Sequence, residues 1–118
     1  MSQNFVEGDF LIFQIESGYG LLRVLAVDQT RSEPVWHVAA YNDLFLDVEM
    51  ADQALKYPET LTVSIPHVAL TNRAFKSTQV ARMTNIPLEV SDFGGLEAWK
   101  RSSGEISDRS IRLMMGLR

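Results

Sequence analysis

Cysteine is absent from this 118-residue chain. That excludes disulfides, a thiol nucleophile and cysteine-ligated zinc. Histidine is scarce: His37 and His67 are the only two. They would ligate a metal, together with a carboxylate, only if the fold brought them together. No His-Glu-x-x-His pattern or close pair suggests this, so two ordinary histidines are expected, with no metal and no cofactor. The chain also lacks a P-loop, a Gly-x-Gly-x-x-Gly fingerprint and a Gly-x-Ser-x-Gly elbow, and no catalytic residue is assigned. No apolar run approaches the roughly 20 residues that span a bilayer. Met1-Ser2-Gln3-Asn4 does not open a secretory signal. A soluble, cytoplasmic protein with no membrane partner is therefore expected.

Cations are scarce in the first 71 residues, where Arg23, Arg31 and Lys56 face ten carboxylates; from residue 72 onward eight cations face five. The whole chain carries a net charge of −4. An acidic first part disfavours nucleic acid, whose phosphates need clustered Lys and Arg. It suits a basic protein partner and would speed its encounter, whereas a plainer reading makes it a solvated surface.

Apolar residues make up 46% of the chain, enough for a folded domain. The pattern is organised around residues 8–28. Phe10, Ile12 and Gln14 would share one strand face, and Leu11, Phe13 and Ile15 the other, so both faces are covered. Glu16-Ser17-Gly18-Tyr19-Gly20 is expected to turn, with positive φ at the glycines, into a second strand over Leu21 to Val27. Gly18-Tyr19-Gly20 is too short to cradle a phosphate; Tyr19, at the tip, is either core or a partner contact.

Val35 to Tyr41 is the third expected strand, with Trp36, Val38 and Ala40 on one face and Val35, His37, Ala39 and Tyr41 on the other. Residues 46–56 read two ways. Leu46, Val48 and Met50 alternate as a strand would; alternatively Asp47 caps a helix running to Leu55 or Lys56, with Val48, Ala51 and Leu55 on one stripe and Pro58 ending it. The helix is preferred. Thr62 to Leu70 is a strand interrupted by Pro66, hence at an edge or bulge. Thr71 to Ser77 is a loop or helical turn, and Thr78 to Met83 a further strand. A helix capped by Ser91 or Asp92 is expected to run to about Ser102, with Phe93, Leu96 and Trp99 inward. Another over Asp108 to Met115 would be capped by Ser107 and stopped by Gly116.

The fold class that results is α+β: a single domain over 1–118, mainly β over 5–90 and helical over 91–118. The sheet is strongly bent and antiparallel, or a partly open SH3-like barrel, with short C-terminal helices. The opening Glu7-Gly8-Asp9-Phe10, an apolar strand, Gly18-Tyr19-Gly20 and Arg23-Val24-Leu25 resembles the start of the immunity protein 26 family. Those are small bacterial proteins thought to neutralise polymorphic toxins. The same stretch looks like an SH3-like barrel opening. The resemblance covers about 20 residues and implies a stoichiometric binding protein without catalysis; it carries over no site residue.

The candidate partner-binding residues come from charge and aromaticity: Asp43, Asp47, Glu49 and Asp52, with Tyr41 and Tyr57 as anchors. The expected function is a non-catalytic module binding a basic, nuclease-type toxin through this acidic face. A small hydrolase or ligand-binding barrel, with a pocket around Trp36 and His37, is the rival, and an oligomeric accessory subunit the third reading.

Overall fold

The computed structural model describes residues 4–102 and 104–117. Met1 to Gln3, where a leader would begin, lie outside them. Among the described residues five antiparallel strands form one sheet: β1 (Asp9–Ile15), β2 (Gly18–Asp28), β3 (Val35–Tyr41), β4 (Val63–Leu70) and β5 (Ala81–Asn85), in the order β4-β3-β2-β1-β5. The sheet is bent and open: β4 and β5 are its two edges and do not close it into a barrel. Among the described residues four short α-helices complete the fold: α1 (Val48–Ala54), α2 (Asn72–Ser77), α3 (Gly94–Lys100) and α4 (Ile111–Met115). This is an α+β fold. Among the described residues no helix is long and apolar enough to cross a membrane.

Strand alternation sorts the side chains into two cores. Leu11, Phe13, Ile15, Leu22, Val24, Trp36, Val38 and Ala40 fill one face, closed by Ala74 and Phe75 of α2 and Ile111 of α4. Trp36 stacks on Phe75 at 4.0 Å between centroids, and Phe5 meets both rings edge-on. The opposite face carries Phe10, Ile12, Leu21 and Tyr41, covered by Ala51 and Leu55 of α1. Each face loses apolar area to water, about 25 cal/mol per Å² removed, which is why β1 needs apolar residues on both sides.

The hairpin forms as expected, but its turn is Glu16-Ser17: Ile15 pairs with Gly18 and Phe13 with Gly20. Gly18 and Gly20 are strand residues, and neither has positive φ. Their reason is close approach. A Cβ on Gly20 would meet the Phe13 ring at 2.5 Å, and one on Gly18 would strike the Phe45 carbonyl.

Residues 46–56 resolve as the helix. The Asp47 side chain accepts from Met50 N–H at 2.8 Å, capping α1. Of the expected stripe, Ala51 and Leu55 are buried, but Val48 is exposed. β4 sits at an edge, where Pro66 removes no interior ladder bond. β5 begins later than expected: Thr78 ends α2 and Gln79 takes φ 57°, so pairing waits until Ala81. The segment after Pro87 makes a 3-10 turn over Val90–Phe93, with a capping box between Glu89 and Asp92, before α3. The last helix is capped by Ser110, not Ser107, and Gly116 ends it at φ 69°. Ser107 instead bridges to β4: its N–H donates to Ala69 O at 2.8 Å, and its carbonyl accepts from Thr71 N–H at 2.9 Å.

Candidate functional site: an acidic face and the cleft beside it

The face bearing α1 and α3 holds the chemistry. Register places Arg23 opposite Phe10 on β1 and Ala39 on β3, so its side chain shares their face. An arginine there must be neutralised, because an unpaired buried charge is costly. Its Nη2 donates to the carbonyls of Ile86 (2.6 Å) and Pro87 (3.3 Å), and its Nη1 pairs with Asp92 at 3.3 Å. The guanidinium carbon lies 4.6 Å from the Phe10 ring centroid. One buried cation therefore fastens residues 86–92 to the sheet. Asp92 is held in turn by the Glu89 N–H at 2.7 Å.

Between that fastened segment and the chain leaving α1 lies a cleft of about 350 Å³. Phe10, Arg23, Tyr41 and Val63 line it from the sheet, Pro58, Glu59 and Leu61 from one side, and Ile86, Pro87, Glu89, Ser91 and Asp92 from the other. Glu59 and Glu89 are exposed carboxylates among its lining residues. Tyr41 is only 7% exposed and packs on Phe10 at 5.6 Å between centroids. It is thus a wall of the cleft and does not project into solvent. Burial pushes its phenol above the ordinary value, although the Arg23 guanidinium works the other way.

The segment entering α1 is anchored by backbone bonds. Tyr19 N–H donates to Phe45 O at 2.8 Å, and Phe45 N–H returns to Tyr19 O at 2.9 Å. Phe45 turns inward onto the core with Tyr19, which leaves its neighbours Leu44 and Leu46 facing out. Leu46 is 77% exposed, and Val48 and Met50 are exposed in the first turn of α1. Tyr57, at 63%, projects beyond its end.

The four predicted acids divide into two kinds. Asp43 accepts from Thr62 N–H at 2.6 Å and Asp47 caps α1, so both hold the backbone. Glu49 and Asp52 are exposed on the helix. Sequence reasoning missed Arg23, Glu89 and Asp92. Arg23 was visible only as a charge inside an apolar strand, a signal that a buried partner must lie elsewhere.

The histidines do meet. His37 Nδ1 and His67 Nε2 are 2.9 Å apart, with Trp99 of α3 edge-on to His37 at 4.8 Å. Trp36 points to the opposite face, so no pocket is lined by Trp36 and His37 together. Among the described residues no group of three or more His, Asp or Glu converges in metal-binding geometry. No family model, curated protein or solved structure matches the chain.

Proposed function

We propose that this chain is a non-catalytic protein-binding module, of the immunity type, that occludes a basic, nuclease-type toxin in the cytoplasm. The observation that carries the reading is the surface around α1. Leu44, Leu46, Val48, Met50 and Tyr57 are exposed on backbone held by hydrogen bonds, interleaved with Glu49 and Asp52. A backbone already fixed loses little further entropy on docking, and exposed clusters of large apolar side chains mark interaction sites. The interleaved acids select a cationic partner.

Self-association through the same face fits less well. A two-fold interface would place Glu49 and Asp52 against their own copies, and like charges brought together oppose contact.

The test is a titration against a basic, nuclease-type toxin domain, read by calorimetry and by mass in solution. A one-to-one complex that blocks the toxin's activity is expected. Leu46→Ser and Tyr57→Ser should each weaken it at least about tenfold, as central interface residues do, with unchanged melting. A complex indifferent to both substitutions would move the interface elsewhere and refute the reading.

A further inference from the structure

The cleft beside α1 has its own chemistry. Its sheet-side lining is aromatic and apolar: Phe10 and Tyr41, flanked by Leu61, Val63 and Ile86. Its one cation, Arg23, is paired with Asp92 and two carbonyls through its two Nη atoms, while its buried Nε has no partner. Glu59 and Glu89 are left over, so the lining carries an excess of two negative charges. Glu89 makes one bond to backbone, accepting from Asp92 N–H in the capping box. Glu59 lies in the first turn of the 3-10 segment Pro58–Thr60.

From this we infer that the cleft is a subsite for one cationic side chain, a lysine or arginine presented by the partner. The inference rests on the docking reading above and names the group that the partner contributes. The aliphatic stem of such a residue would lie along Tyr41, Leu61 and Val63, while its charged end meets Glu59 and Glu89. A volume of about 350 Å³ is at the small end of ligand clefts, about 300–1,000 Å³. That suits a side chain rather than a whole cofactor. The occupant is cationic because an anion would face Glu59, Glu89 and Asp92 against the single, already ion-paired Arg23.

The fastening by Arg23 keeps the cleft open before binding. Residues 86–92 form one wall, and they are held to β2 by three bonds from a single guanidinium. A preformed slot costs less to fill than one that must be ordered on contact.

The experiment needs no partner protein. The full chain is titrated with Nα-acetyl-lysine methylamide and, separately, with the isosteric neutral Nα-acetyl-norleucine methylamide, by amide chemical shifts. The lysine probe should give saturable shifts at Leu61, Val63, Ile86, Ser91 and Asp92 in the millimolar range. The norleucine probe should bind at least about fivefold more weakly. Glu59→Gln with Glu89→Gln should erase that preference; glutamine at 89 still offers a cap oxygen, and a thermal melt confirms folding. Equal shifts from both probes would make the cleft an apolar groove without charge recognition, and unmoved cleft amides would remove the subsite; either result overturns the inference. Neither result touches the α1 face, which is tested with the partner. Conversely, lysine binding without any toxin complex would leave the subsite standing and sink the docking reading.

Discussion

His37 on β3 and His67 on β4 share a hydrogen bond, Nδ1 to Nε2 at 2.9 Å, under the edge of Trp99. One nitrogen must carry the proton and the other must offer a lone pair. The two rings lie 19° from parallel. Burial opposes adding a proton to either ring, and a second added proton would also place two like charges in contact.

That relationship sets a pH dependence. Burial holds His67 down at about 4, with His37 beside it adding to the effect. Burial likewise lowers His37; Asp28 opposes this, while Lys100 and Arg31 reinforce it. Unfolded, both titrate near about 6.5. Between those values the unfolded chain binds more protons. Stability is therefore full above about 6.5 and is lost as pH falls towards about 4. Melting temperature should drop across that window in the wild type and drop less in His67→Gln. An equal drop in both would place the acid sensitivity elsewhere.

A separate loss belongs to lower pH. Asp9 is buried, which raises its pKa, but bonds from Asn85, Val6 N–H and Arg82 outweigh this and hold it below the ordinary value. Its contribution is present above about 3.8 and lost as pH falls through its folded value. Asp9→Asn should weaken the β1–β5 pairing. Faster amide exchange at Arg82 to Asn85 than in the wild type would show it, and unchanged exchange would contradict it.

Arg23 gives the largest stability prediction. Replacing it by Leu leaves the Ile86 and Pro87 carbonyls without their donor and Asp92 without its cation. Breaking a buried pair by removing one partner costs about 3–5 kcal/mol. The lower end is expected, since Asp92 keeps 30% of its side chain exposed. Denaturant midpoints would measure it; a loss below about 1 kcal/mol would mean that residues 86–92 are held by other contacts.

Trp99 is expected to cost less than a core tryptophan. It is half-buried over the histidines, and its Nε1 donates to Glu105 O at 2.7 Å. Trp99→Ala should cost about 2 kcal/mol, below the 3–5 typical of buried aromatics. A cost as large as the full core value would show that α3 carries more of the fold than its contacts suggest.

Much of this architecture was legible in the sequence. The double apolar character of β1 forecast a sheet covered on both sides, and the alternation in Val35 to Tyr41 sorted Trp36 from His37 correctly. Asp47 announced its cap, because capping is a local hydrogen bond three residues long. Local patterns could not separate a turn glycine from one demanded by close approach, hence the misplacement of the turn onto Gly18 and Gly20. Nor could they pair His37 with His67 or Arg23 with Asp92, since those contacts depend on strand order and on the path of a distant loop. The burial of Tyr41 was hidden for the same reason: the α1 connection and Arg23 that enclose it come from elsewhere in the chain.

The acidic α1 face is the central claim, and association kinetics test it most directly. Glu49 and Asp52 are both replaced by Lys, leaving the Asp47 cap in place, and binding to the basic toxin domain is followed by stopped flow at low and high salt. The predicted result is association slowed at least about tenfold at low salt, converging with wild type as salt screens the charges, with melting nearly unchanged. An unaltered on-rate at low salt would contradict the account.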